Sequence, residues 1–208
     1  MDSGTLAVYA LFCAAAFLLA SVPFGFLVGK ARGIDIRRHG SGNIGATNVY
    51  RVVGKPWGLL AFACDFLKGL VPVLAAKRFF PELPFLPVAA GVAAVFGHMY
   101  TVFMRFKGGK GVATGFGMLV ALSPVLVLCA FGIFVALVAA FRYISLGSVC
   151  AAAFLAVAVW IPCAALGNPE GWRDWPTCAA VAAVCLFSVW KHRSNIARLL
   201  SGTESKIF

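Results

Sequence analysis

Three short polar segments break an otherwise apolar chain of 208 residues. RRHGSGNIGATNVYR, residues 37–51, sets Arg37, Arg38, His39, Ser41, Asn43, Thr47, Asn48 and Arg51 around Gly40, Gly42 and Gly45. FKGGKGVATGFG, residues 106–117, joins Lys107 and Lys110 to Gly108, Gly109 and Gly111 ahead of Val112 and Ala113. KHRSNIARLLSGTE, residues 191–204, brings His192, Arg193, Asn195 and Arg198. Glycines let consecutive backbone N–H groups converge, and a helix starting directly after such a loop turns its positive end toward the same point. Lysine and arginine add full charges. This is the chemistry of anion binding, and two such loops beside a third cationic segment imply more than one phosphate group.

Other readings fail on context. Gly40, Gly42 and Gly45 spell a literal GxGxxG, but a charged run precedes them where a dinucleotide fold requires a strand. Gly109-Lys110 is followed by Gly111, where a nucleotide-hydrolysing P-loop requires Ser or Thr to hold magnesium. Ser41 has no Asp-His partners at motif spacing, so no hydrolase triad is visible; it suits donation to phosphate. Asn43, Thr47 and Asn48 suit hydrogen bonds either to the backbone or to a substrate. His192, Asn195 and Arg198 recur every third residue along one drifting helix face, with Ile196, Leu199 and Leu200 on the other. Tyr143, Ser145 and Ser148 form a weaker polar cluster after Arg142. No His, Cys, Asp and Glu grouping has metal-ligand spacing, so no metal or other cofactor is expected.

The elements that must position these segments are membrane helices. The chain is 62% hydrophobic and 12% charged, and its apolar runs reach the roughly 20 residues a helix needs to cross a bilayer. Blocks lie at 5–29, 56–76, 84–104, 112–141, 145–166 and 175–190. The first is too long for a signal-peptide core and lacks a basic leader. The fourth is too long for one span and holds Ser123-Pro124; splitting it there gives helices over 112–122 and 125–141, seven spans in all. With the N-terminus outside and the C-terminus cytoplasmic, most of the 18 basic residues fall on the cytoplasmic side. Only Lys77, Arg78 and Arg173 lie opposite, offset by Asp2, Glu82, Glu170 and Asp174. The positive-inside rule thus accounts for the net charge of +11, and nucleic acid is not expected as a partner.

The same topology puts all three polar segments on the cytoplasmic face. Asp65 and Lys68 fall inside the second span on one helix face, where each alone costs roughly 2.5 to 3.5 kcal/mol, so they should pair. The seven cysteines, Cys13, Cys64, Cys129, Cys150, Cys163, Cys178 and Cys185, lie in apolar runs and read as packing or lipid-facing residues.

Taken together, SGNIGATNVYR, GGKGVATG and HRSNIARLLSGTE resemble, in order and spacing, the three motifs of the bacterial membrane acyl-phosphate:glycerol-3-phosphate acyltransferases. DFLKG at 65–69 and GHMYTVFMRFKGGKG at 97–111 also look familial, with Thr101 standing where proline is expected. The resemblance covers nearly the whole chain. It implies one all-α domain over 1–208, a multi-pass protein of the bacterial plasma membrane with seven transmembrane helices and a cytoplasmic active site. The implied reaction moves an acyl chain from acyl phosphate to the 1-hydroxyl of glycerol 3-phosphate, giving lysophosphatidic acid and inorganic phosphate, the first acylation of phospholipid synthesis. The enzyme making acyl phosphate would be its functional partner.

Carried over by position, the resemblance implies that Arg51, Lys110 and His192 or Asn195 hold glycerol 3-phosphate. The backbone of Gly108 to Ala113, with Thr47, would cradle acyl phosphate, and these assignments are interchangeable. Ser41 would orient a phosphate or the acyl carbonyl; Ser41, Lys110, His192 and Asn195 form the expected catalytic set. Asn43, Gly45, Asn48, Ser145, Ser148 and Arg193 complete the expected substrate contacts. The base is either His192 or a substrate phosphate, the latter favoured. Anion transport is the rival reading. It is disfavoured because both glycine loops follow odd-numbered spans on one side, not as an inverted pair at the midplane.

Overall fold

The computed structural model describes residues 2–161 and 175–207, and every regular element among them is helical. Cys163, Glu170, Arg173, Asp174 and the end of the block at 145–166 lie outside the described residues. None of the six described cysteines is in a disulfide.

Proline punctuates the chain. Helix α1 (Ser3–Ser21) is capped by Asp2, whose carboxylate accepts the Thr5 N–H at 2.7 Å, and it stops at Val22. Pro23 has no N–H to continue the ladder, so α2 (Phe24–Ala31) starts afresh. The single span expected over 5–29 is one stretch long and apolar enough to cross a membrane, Ser3–Ala31, built of two helices. Helices α4 (Lys55–Phe79) and α5 (Leu86–Met99) both carry proline in the first turn, where its missing donor costs nothing. The division expected at Ser123-Pro124 is present: α6 (Val112–Leu122) ends and α7 (Pro124–Phe141) begins with the proline as its first residue. A short α3 (Ala46–Val52) follows the first glycine loop, and α8 (Ile144–Ala158), α9 (Trp175–Lys191) and α10 (Arg193–Leu200) complete the chain.

Among the described residues, Ser3–Ala31, Lys55–Phe79, Leu86–Met104 and Pro124–Phe141 are long and apolar enough to cross a membrane. Val112–Leu122, Ile144–Ala158 and Trp175–Lys191 are shorter apolar helices. By internal contacts the helices group into two compact units, Met1–Ala121 and Leu122–Phe208.

In the first unit, α1, α4 and α5 pack on one another. Ser21 and Thr101 lock the ends of α1 and α5: Ser21 Oγ donates to the Gly97 carbonyl at 3.2 Å, and the Thr101 hydroxyl donates to the Ser21 carbonyl. Proline at position 101 could not make that second bond. Helices α4 and α6 meet backbone to backbone, because a Cβ on Gly69 would overlap the Thr114 carbonyl and one on Gly117 the Phe66 carbonyl. The short turn between α4 and α5 makes them antiparallel, so the loops at 32–54 and 100–111 share one end of this unit. In the second unit α8 packs between α7 and α9, α10 rests on α8, and Ile207 N–H donates to the Arg142 carbonyl at 2.9 Å.

Candidate active site

The first glycine loop is built around Asn48. Its side chain is buried in α3, where Oδ1 accepts the Ser41 N–H at 2.9 Å and Nδ2 donates to the carbonyls of Ile36 (2.9 Å) and His39 (3.1 Å). Of the two roles open to Asn48, backbone or substrate, the structure shows its bonds to the backbone, which frame the loop from within. Gly40 (φ 59°) and Gly42 (φ 69°) take left-handed turns, and a Cβ on Gly40 would also strike Asn48 Oδ1. Asn43 Oδ1 accepts the Gly45 N–H at 2.8 Å, so that donor is spent inside the loop as well. Ser41 remains exposed, Thr47 sits half-buried in the first turn of α3, and Arg51 is half-buried in its last turn. Upstream, Arg37 hydrogen-bonds Asp35 at 2.6 and 2.8 Å and holds that carboxyl well below its ordinary range.

The second loop is anchored to α5. Gly108 N–H donates to the Met99 carbonyl at 3.2 Å and Gly109 N–H to the His98 carbonyl at 3.1 Å. In this structure both amides, expected to cradle an anion, donate to the end of α5. The donors left for that task are those of the opening turn of α6, Val112 and Ala113, which lie too early in the helix for intrahelical partners. Gly111, at φ 80°, makes the turn that starts this helix, and Lys110 is half-buried just before it. Thr114 in the same turn is buried, its hydroxyl donating to the Asp65 carbonyl at 2.9 Å.

Contacts run from one loop to the other. The Ile44 carbonyl lies against Gly25; its neighbour Phe24 faces Lys68 Nζ 4.9 Å from the ring centre. Lys68 pairs with Asp65 at 2.8 Å, as expected, and His98, which no spacing linked to them, joins with Nδ1 3.5 Å from the same Asp65 oxygen. Gly109 rests on the His98 ring.

The second unit gathers its polar groups on Glu204, which ends the third polar segment and which residue type and spacing do not single out. Glu204 Oε1 accepts from Asn195 Nδ2 at 2.7 Å and Ser145 Oγ at 2.8 Å, and Oε2 accepts from Arg198 Nε at 2.7 Å. Burial alone would raise the Glu204 carboxyl; the hydrogen bonds from Asn195, Ser145 and Arg198 outweigh it and hold the group below its ordinary value. His192 sits where α9 gives way to α10. Its N–H turns to the Val189 carbonyl, and the Ser188 carbonyl takes the ring Nδ1–H instead, at 2.7 Å. A neutral ring so held carries its lone pair on Nε2. Ser148 is committed internally, its hydroxyl donating to the Ile144 carbonyl at 2.8 Å, and Arg193 stacks on Trp190 at 4.3 Å.

Apolar helices long enough to cross a membrane, carrying a glycine loop with a lysine at a helix N-terminus, are the parts of a membrane protein suited to anions. The sequence matches the family model for glycerol-3-phosphate acyltransferase over residues 10–202. Glycerol-3-phosphate acyltransferases of Trichlorobacter lovleyi and Geotalea daltonii are 48% and 50% identical to it, covering 93% and 91% of this chain and 94% and 93% of theirs. The crystal structure of PlsY, an integral membrane glycerol 3-phosphate acyltransferase, in its glycerol 3-phosphate form matches with a TM-score of 0.86 at 37% identity, covering 95% of this chain and 94% of that one. The lysophosphatidic acid form matches with a TM-score of 0.79 at 38% identity. The chain belongs to the PlsY family of glycerol-3-phosphate acyltransferases.

Proposed function

We propose that this protein transfers an acyl group from acyl phosphate to the sn-1 hydroxyl of glycerol 3-phosphate at the cytoplasmic face of a bacterial plasma membrane, crossing it seven times with the N-terminus outside. The hydroxyl oxygen bonds to the acyl carbon, the carbon–oxygen bond to phosphate breaks, and the hydroxyl proton leaves with inorganic phosphate. Lysophosphatidic acid is the product. The observation that carries the reading is the opening turn of α6: the N–H groups of Val112 and Ala113 behind Gly111, with Lys110 beside them, suit a phosphate group.

Acyl phosphate is already an activated anhydride, so alignment and charge neutralisation supply most of what is needed. Lys110 and Arg51 neutralise phosphate, Ser41 and Thr47 donate to it, and no acyl-enzyme forms. In the second unit His192 Nε2 accepts from a glycerol hydroxyl and aligns it, Asn195 assists, and the departing phosphate takes the proton. Purified protein given palmitoyl phosphate and glycerol 3-phosphate should release phosphate and lysophosphatidate in equal amounts. Activity only with acyl-CoA or acyl-carrier protein would overturn the donor assignment, and a stable acyl group trapped on Ser41 the direct mechanism.

A further inference from the structure

Next to the phosphate loop lie three titratable groups that the proposed reaction does not use. Asp65 and Lys68 of α4 are each 2% exposed, and His98 of α5 is 6% exposed. All three meet at Asp65 Oδ1, which accepts from Lys68 Nζ at 2.8 Å and stands 3.5 Å from His98 Nδ1. A buried ion pair is seldom more stabilising than an apolar pair of the same volume, so stability is a weak account of this cluster.

The cluster is tied to both flanks of the loop. Upstream, His98 holds Gly109 twice, through its carbonyl oxygen at 3.1 Å from the Gly109 nitrogen and through its ring, where Nε2 lies so close that a Cβ on Gly109 would overlap it. Downstream, the Asp65 carbonyl accepts the Thr114 hydroxyl. One residue of α4 thus braces the stretch that carries Lys110 and the leading N–H groups of α6.

We propose that His98, oriented by the Asp65–Lys68 pair, is a positioning residue that sets where the loop presents Lys110 and the α6 N-terminus to a bound phosphate. The inference rests on the reading of that loop as a phosphate site. The carboxylate fixes the rotation of the ring through Nδ1, and the ring's opposite edge supports Gly109. The two links act in series, so losing either loses the support.

The test uses the full-length protein. His98→Asn keeps a donor near the Nδ1 position and removes the edge under Gly109; Asp65→Asn with Lys68→Met removes the orienting pair and leaves no lone charge. For each, for the triple combination and for wild type, KM for both substrates, kcat, inorganic phosphate affinity by calorimetry and the unfolding midpoint are measured. Each variant should raise KM for a phosphate-bearing substrate and weaken phosphate binding, with kcat/KM falling roughly ten- to a hundredfold. The combination should be no worse than either. If the double variant does not fold, His98→Gln, which reaches toward Gly109 but lacks the Nδ1 donor, supplies the second arm and should show the same loss.

Folded His98→Asn with unaltered KM and phosphate affinity, losses that multiply in the combination, or changes confined to the unfolding midpoint would each overturn the inference. Wild type that turns over nothing yet binds phosphate more tightly than His98→Asn sinks the acyltransferase reading and leaves this inference standing. Wild type that neither turns over nor binds phosphate sinks both.

Discussion

Asn195 Nδ2 donates to Glu204 Oε1 at 2.7 Å, so a carboxylate sits directly behind a residue assigned to an anionic substrate. The charge is answered by Arg198 on the other oxygen. Glu204→Gln should keep the shape of this hub and lose its charge-assisted bonds, each worth about 1.5 to 3 kcal/mol. The expected result is a lower unfolding midpoint and weaker activity, and Asn195→Ala made on top of it should cost less than it does in wild type. Fully additive losses would show that Glu204 does not act through Asn195.

The same hub predicts a pH dependence. The Glu204 carboxyl lies below its ordinary value of 4.5 when folded, so its contribution to stability is complete above that value and is lost as pH falls through the lowered one. The difference in unfolding midpoint between wild type and Glu204→Gln should therefore be largest near neutral pH and shrink below about pH 4.5. A difference that grows on acidification would reverse the sign of the argument.

His192→Asn separates an aligning histidine from a base. Asparagine can still donate to the Ser188 carbonyl in place of Nδ1 but offers no basic nitrogen at the position of Nε2. With substrate phosphate taking the proton, this variant should retain measurable turnover with an unshifted pH profile. Loss of about 10³-fold or more, as expected on removing a general base, would assign the proton to His192.

The glycine loop can be tested by adding one methyl group. Gly109→Ala places a Cβ against the His98 ring and should displace the loop, abolishing turnover as Lys110→Ala should. Gly132→Ala in α7 meets nothing within 4 Å and should leave activity unchanged, with stability neutral or slightly raised. Equal activity of Gly109→Ala and wild type would mean that the loop tolerates displacement.

Asn48→Ala removes one acceptor and two donor bonds that hold the first loop together. Leaving the Ser41 N–H and two carbonyls without this partner should cost about 1 to 3 kcal/mol or more, read as a lower unfolding midpoint, with activity falling as Ser41 loses its place.

What could be read from the chain beforehand follows the range of the signals. The break at Pro124 and the helix start after Gly111 are local and were visible, and so was the Asp65–Lys68 pair, because three residues on a helix make one face. Pro23 was equally local but lay in an uninterrupted apolar run, and hydropathy alone hid the end of α1. His98 meets Asp65 only through the packing of α4 and α5, and Glu204 meets its partners because the chain after α10 folds back on Asn195 and Arg198 and reaches Ser145 of α8, neither of which spacing expresses. In the glycine loops the residue types were informative but their direction was not. Asn48 in such a loop suits either a ligand or the backbone, and the amides of Gly108 and Gly109 turn to α5 only because Met99 and His98 end that helix with unfilled carbonyls.

Where α4 crosses α6, Gly69 and Gly117 leave main chain resting on main chain. A joint of this kind has no rotamer to change and no side-chain volume to trade, so sequence drift in the two helices must be absorbed elsewhere. The rings of Phe62, Phe66 and Phe116, with centroids 5.5 to 6.4 Å apart, lie on these same two helices. Such side chains can change, and with them the surface offered to hydrocarbon, while the N-terminal end of α6 keeps its register. The crossing thus uncouples the apolar surface of these helices from the position of the loop that precedes α6.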